Sequence, residues 1–469
     1  MPGISGQDVR KPALAARPFI RHGTIWAQGW LQAQMMLSFY LWTLVSIGRP
    51  QDVLPELLFH LHPGKIAALF TLLLYFLNVK KKVNQNIFQT PEVVAFLFFC
   101  LVMTASGLCG VYPRQSWEFL KTDFCKQVVY CLVLSRIIVT SKDIKKLAWV
   151  IILSAVIISL ASISVRAQTD RVSVGTMYDP NDLAMVLVIS FPFVLYFFLE
   201  EGGFRKIFLA GAGVVILFAF LLTQSRGGFL GLMAIILTFA VSGSSLKGKA
   251  GQGKVEKGRD EGQKWSKRVV VLLLTLALVG LASNQYWQRI KTILSREDRG
   301  SMREVIWGRG LKLFAENLWL GVGVNCFSTA YGRALEKGRF GKVGNVYDRS
   351  WRAAHNSYLQ VGTETGIFGL LLFLFLLGLS IKNFRETKIL ALAGSDSQTR
   401  RLSEMYLLGL IGFMVCGFFL SQAYSIFPYL FLAVSGILRR QFLKEVKKNE
   451  FDPEGRGLGI GESTGHSPG

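Results

Sequence analysis

An all-α polytopic membrane protein, with about twelve transmembrane helices and one long outer loop carrying short helices, is the fold that this sequence predicts. Three observations predict it. Apolar residues make up 51% of the chain and charged ones only 18%, too little polar surface for a soluble globule. Apolar stretches recur at close to the roughly 20 residues that a bilayer core demands. Lysine and arginine gather in alternate gaps between those stretches, as orientation signals do, so the net charge of +23 follows a membrane topology. No RNA- or DNA-binding motif accompanies that charge, and no nucleic-acid partner is expected.

Residues 1–23 hold Arg10, Lys11, Arg17 and Arg21 without a signal-type apolar core and cleavage site, and read as a retained basic tail. Apolar stretches then lie near 29–48, 64–79, 92–112, 123–141, 146–165, 182–199, 206–223, 227–246, 268–285, 357–381, 404–423 and 426–443. The second is short and the seventh and eighth nearly touch, so eleven or thirteen spans stay open. Basic groups at Lys80 to Lys82, at Arg136 to Lys146, at Arg205 and Lys206, between Lys247 and Arg268, between Lys382 and Arg401 and after Arg439 all fall on one side of the count. With an even number of spans this sets both termini in the cytoplasm. The chain then divides into an N-terminal bundle, 1–285, with a solvated cytoplasmic linker at 247–267; a long outer loop, 286–356; C-terminal transmembrane helices, 357–443; and a disordered cytoplasmic tail, 444–469. Cys326 is alone in the long loop, so no disulfide framework is expected there.

The loop 286–356 breaks the sign rule, with thirteen Lys and Arg against six Asp and Glu. Long loops cross a membrane regardless of charge, but the excess calls for an anionic substrate or anionic lipid headgroups. Within it, Ser301-Met302-Arg303-Glu304 has the spacing of a capping box and starts a helix whose apolar stripe is Trp307, Leu311 and Phe314. Arg303 then falls in the first turn, either facing an anion at a helix N-terminus or snorkelling to lipid phosphate. The following Gly321 and Gly323 allow a tight turn and are weak evidence for phosphate binding.

Thr223-Gln224-Ser225-Arg226-Gly227-Gly228 lies between two apolar stretches with almost no loop. An arginine so close to hydrocarbon is costly unless it snorkels, pairs or lines a polar cavity, and the glycines let backbone approach a ligand or turn sharply. Arg166, Arg171 and Lys126 read as structural. Asp179-Pro180-Asn181-Asp182 is turn and N-cap chemistry, with an acidic or amide group that could also orient a sugar hydroxyl. His60 and His62 lack the partners of a metal site. Ala353 to Phe375 is the chemically richest stretch. His355-Asn356-Ser357-Tyr358 sets a titratable imidazole and several hydrogen-bonding side chains where the basic loop meets an apolar helix.

Ser225-Arg226-Gly227-Gly228, Arg303 with Trp307 followed by Leu320-Gly321-Val322-Gly323, and His355-Asn356-Ser357-Tyr358-Leu359-Gln360 with Glu364-Thr365-Gly366 together resemble the O-antigen ligase and O-antigen polymerase superfamily. The landmarks cover roughly residues 175 to 380; the His-Asn-Ser element joined to Glu-Thr-Gly is the specific one. Leu318-Trp319-Leu320 stands where members commonly carry a proline before the glycine pair, which puts the local turn in doubt. The resemblance implies a bacterial inner-membrane glycosyltransferase whose long loop is periplasmic. Such enzymes pass a glycan from an undecaprenyl-pyrophosphate carrier to an acceptor outside the cytoplasm, inverting and without a metal or other cofactor. The expected partners are the undecaprenyl-pyrophosphate-linked glycan donor, lipid A core or another glycan acceptor, and membrane lipids. Polymerisation of repeat units and transfer to protein stay open within the superfamily. A lipid-linked glycan transporter is a further alternative, disfavoured because the candidate residues sit at one face.

On that reading Arg226 and Arg303 bind pyrophosphate, since guanidinium forks match phosphate oxygens and stay charged. His355 is the general base on the acceptor hydroxyl. Ser225, Asn356, Tyr358 and Glu364 are supporting groups around them, with Glu364 as ready to pair with an arginine in the bundle as to act in chemistry.

Overall fold

The computed structural model describes residues 19–53, 61–78, 90–165, 171–174, 178–241, 280, 284–291, 303–340, 351–394 and 396–451. Expectations for residues 1–18, Lys80 to Lys82, the linker 247–267, most of the ninth apolar stretch, His60, Arg166 and Ser301 lie outside these.

The described residues are helical, with no strand and a single isolated bridge between Val174 and Tyr178. In chain order the helices are α1 Phe19–Gly48, α2 Pro50–Val53, α3 Pro63–Asn78, α4 Pro91–Cys109, α5 Pro113–Phe119, then a π-helical turn at Leu120–Phe124 and α6 Cys125–Ile137. They continue with α7 Ser141–Val165, α8 Pro180–Glu200, α9 Gly203–Thr223, α10 Arg226–Val241, α11 Asn284–Lys291, α12 Arg303–Glu316 and α13 Phe327–Glu336. Last come α14 Ser357–Ala393, α15 Ser397–Gly417 and α16 Ile426–Phe451. Helices stand over eleven of the twelve expected stretches, the ninth being mostly undescribed. Six, namely α4, α7, α8, α9, α14 and α16, are long and apolar enough to cross a membrane. α3 and α10 are apolar but shorter. α16 runs through Phe451, past the residue 443 boundary expected for its end, since Lys444 to Glu450 are mostly good helix formers.

α8 is the centre of the bundle. Every residue from Leu183 to Phe197 is buried, so its apolar face runs all the way round, as a helix surrounded by others requires. Away from the termini that will form the site, two polar clusters tie helices together. Glu92 of α4 accepts from Asn383 Nδ2 of α14 and from Arg440 Nη1 of α16, each at 2.8 Å. Glu404 of α15 is held by Lys388 of α14 at 2.6 Å and by the Tyr196 hydroxyl of α8 at 2.7 Å. Ionisable groups inside an apolar bundle persist when paired in this way.

α14 is not one straight helix. Gly366, with φ 69° and ψ −167°, interrupts it after nine residues. The interruption frees backbone groups, and all that are freed must find partners where water is scarce. The turn between α12 and α13 supplies them. Val322 N–H donates to the Thr363 carbonyl at 2.9 Å and Gly323 N–H to the Glu364 carbonyl at 3.0 Å. Ser106 Oγ of α4 also donates to the Glu364 carbonyl, and Ile367 N–H donates to the Leu318 carbonyl at 2.7 Å. Gly321 has φ 72° and lies directly on the Glu364 carbonyl, while Gly366 lies directly on the Trp319 carbonyl. Neither position has room for a Cβ. The two glycines of the loop therefore seal a broken helix; their amides are spent on carbonyls and do not cradle a phosphate.

The stripe expected on the loop helix is corrected. α12 buries Ile306, Gly310 and Leu313, while Leu311 is 58% exposed. These three residues share one helical face, but a glycine carries no hydrophobic signal. Its value is closeness: a Cβ at Gly310 would stand 2.8 Å from Leu359 of α14.

Candidate active site

Four helix N-termini converge at one end of the bundle: those of α8, α10, α12 and α14. Each is shaped locally. At α8, Asp179 Oδ1 accepts from Asn181 N–H at 2.7 Å and Asp182 N–H at 2.8 Å, with Pro180 filling the first turn where no donor is needed. At α10, Gln224 adopts φ 51° to reverse the chain after α9, and Ser225 Oγ accepts from Gly228 N–H at 3.2 Å. At α14, Asn356 Oδ1 accepts from Tyr358 N–H at 2.9 Å and Leu359 N–H at 3.0 Å. α12 begins at Arg303 itself.

Close packing brings these termini together. A Cβ at Gly228 would stand 2.8 Å from Ala184 of α8, and one at Gly227 would stand 3.0 Å from Phe419 in the α15–α16 turn. The glycines after Arg226 thus serve helix packing, where the sequence allowed a ligand approach. Ser225 Oγ donates to Asn181 Oδ1 at 3.0 Å. Arg171 braces the same junction, donating from Nη2 to Asn181 Oδ1 at 3.0 Å and from Nε to the Thr223 carbonyl at 2.9 Å.

Arg303 is half-buried, its guanidinium 5.9 Å from the Phe419 ring centroid. Burial, and then the neighbouring Arg226 charge, weaken its protonated form, with Asp179 acting the other way. The two arginines that lie 77 residues apart in sequence therefore feel each other directly. His355 joins them. It sits at φ 46°, a left-handed conformation uncommon outside glycine, and its N–H donates to Ser421 Oγ at 2.9 Å. Burial holds its imidazole below the ordinary value of about 6.5, helped by Arg303 and Arg352 and opposed by Asp179. Arg226, Arg303, His355 and Asp179 thus face one recess with an excess of positive charge.

The remaining candidates stand around it. Tyr358 turns its hydroxyl to the Met414 carbonyl at 2.9 Å. Glu364 is buried below the recess at the helix break and pairs with no arginine among the described residues: Oε2 accepts from Asn325 N–H at 2.9 Å and Oε1 from Phe327 N–H at 3.1 Å, which caps α13. It fastens the loop to the bundle.

Sequence reasoning undervalued Asp179 and missed the α15–α16 turn. Ser357 Oγ donates to the Leu420 carbonyl at 2.7 Å and accepts from Gln422 N–H at 2.9 Å. Gln422 Nε2 donates to Asp182 Oδ1 at 2.8 Å. Trp307 lies edge-on to Phe418, with centroids 5.3 Å apart, and donates from Nε1 to the Ala354 carbonyl at 3.1 Å. This turn is the back wall of the recess. It hides between two apolar stretches only two residues apart, and nothing in its composition marks it.

Among the described residues no group of three or more His, Cys, Asp or Glu side chains is placed to hold a metal ion, and all six cysteines are free. What the recess can do is bind an anion at helix N-termini with two guanidinium groups, beside an imidazole that stays neutral at neutral pH.

Residues 211–374 match the O-antigen ligase family model. No curated protein matches the chain. The matched stretch contains Arg226, Arg303, His355 and Glu364, and the match supports the O-antigen ligase superfamily for this chain.

Proposed function

We propose that the protein moves a glycan from undecaprenyl pyrophosphate to an acceptor hydroxyl at the periplasmic face of a bacterial inner membrane, with lipid A core as the acceptor. The observation that carries this reading is the pair Arg226 and Arg303, like charges set against each other at two helix N-termini beside His355. Arg226 at this range weakens the charged form of Arg303, and a pyrophosphate offers oxygens to both.

In the reaction the acceptor oxygen attacks the anomeric carbon from the face opposite the carrier. The bond from that carbon to the pyrophosphate oxygen breaks, its electron pair stays with the pyrophosphate, and the configuration inverts. His355 takes the acceptor proton as the new bond forms. Arg226 and Arg303 stabilise the charge that grows on the leaving pyrophosphate, where preorganised cations contribute most. The imidazole suits this part because its environment disfavours the protonated form.

The test is the surface polysaccharide of cells carrying His355→Ala in place of the native gene, resolved on a gel beside a deletion strain. Bare lipid A core with polymer accumulating on the carrier is the expected pattern. Core bearing a single repeat would make the protein a polymerase, and an unchanged ladder in the deletion strain would direct the search to glycosylated protein. A ladder lost on deletion yet untouched by His355→Ala would leave the histidine structural and the mechanism wrong.

A further inference from the structure

The turn Leu318-Trp319-Leu320 does not belong to a water-exposed loop by its placement. Leu318 and Trp319 are exposed, Trp319 by 66%. The Trp319 ring lies 5.9 Å from that of Phe368, and Phe368, Leu371 and Phe375 follow one another at helical spacing along α14, exposed by 49, 57 and 54%. One apolar stripe thus begins on the turn and continues without interruption down a helix of membrane-spanning composition.

Length fixes its depth. From Ile367, the first residue after the break, to Ile381, the last before Lys382, α14 has fifteen residues, all uncharged. At about 1.5 Å per residue they span roughly 22 Å, against a hydrocarbon thickness of about 30 Å. With Lys382 at one edge of the hydrocarbon, the break at Gly366 falls roughly 8 Å short of the other edge. Trp319 rests on that break.

We infer that Leu318-Trp319-Leu320 is a re-entrant turn whose exposed side chains are covered by phospholipid acyl chains. The backbone bonds at and just after the turn are of the kind such a turn requires. Non-helical backbone survives at membrane depth only where its polar groups are satisfied by protein, and the carbonyl of Leu318 and the amides of Gly321, Val322 and Gly323 all have partners. The inference concerns the membrane alone and stands apart from the proposed transfer reaction.

The full chain reconstituted in phosphatidylcholine vesicles tests it. The sequence has ten tryptophans, so the emission of Trp319 is taken as the difference between the native protein and Trp319→Phe. Acyl chains brominated near the ester end should remove most of that component, and aqueous iodide should leave it almost intact. Quenching by iodide with none by brominated lipid overturns the inference. Should Trp319→Phe fail to fold, Trp319→Tyr gives the same subtraction while keeping a ring on Phe368.

Discussion

His355 makes the sharpest residue-level prediction because two neighbours push its proton affinity in opposite directions. Burial and Arg303 disfavour the imidazolium, while Asp179 favours it. The folded value therefore lies below the unfolded one, so the unfolded chain binds the extra proton first. Stability from this group is unimpaired above about pH 6.5 and falls as pH drops from there through the depressed folded value. A rate that needs the neutral base keeps its plateau above the same point and declines on the acid side. Arg303→Gln removes a repelling charge and should move that acid limb to higher pH. Asp179→Asn keeps the helix cap, since asparagine caps as well as aspartate, and should move the limb to lower pH. Profiles of transfer rate against pH for the two variants check both signs; shifts in the same direction would refute the assignment. His355→Ala should lower the rate by about 10²- to 10⁴-fold, the usual contribution of a general base.

At the scale of elements, the broken helix α14 and the loop that seals it stand or fall together. Gly366→Ala places a Cβ on the Trp319 carbonyl at φ 69°, and Gly321→Ala places one on the Glu364 carbonyl at φ 72°. Each combines backbone strain with a clash and should cost on the order of 2 kcal/mol or more, seen as a lowered melting temperature in detergent. Glu364→Ala should unfasten α13, since it removes the acceptor of two backbone amides. Proteolysis of the loop should then quicken, and Glu364→Gln, which keeps one acceptor oxygen, should fall between. The start and apolar character of α14 were legible in the sequence, and so was the special character of Glu364-Thr365-Gly366; its end was not, since the helix runs to Ala393, past the expected 381. The break was not legible, because its partner residues lie more than forty positions upstream and a glycine inside an apolar run carries no mark of its φ. The same blindness misassigned the stripe on α12: Leu311 is apolar and exposed, whereas Gly310 is silent and buried. Arg226, Arg303 and His355, which the structure sets near one another, stood out in the sequence because charge beside hydrocarbon is costly and conspicuous. The α15–α16 turn, built of phenylalanine, serine and glutamine, offered no such contrast.

For the whole molecule, the bundle is pinned at the end of α4 away from the loop by Glu92 with Arg440 and Asn383. A buried ion pair is weak evidence of net stabilisation, but removing one partner strands the other. Arg440→Ala should therefore destabilise by about 3–5 kcal/mol, and Glu92→Gln combined with Arg440→Met should recover most of the loss in thermal unfolding. The charge pattern of the gaps predicts that both termini lie on the cytoplasmic side, and thiol labelling from each side of sealed membrane vesicles tests it.

The sealed break in α14 also has a consequence for how the chain is made. The groups that complete the helix at Gly366 come from residues 318–323, which leave the ribosome before any part of α14 does. A newly inserted α14 carries the Thr363 carbonyl and the Ile367 amide open in lipid until that earlier segment reaches it, while Ser106 of α4 can hold the Glu364 carbonyl. Docking of the loop is thus one step in burying α14, beside the arrival of α15 and α16 that pack on it, and the anion recess above it comes into being only when biogenesis of the C-terminal helices is complete.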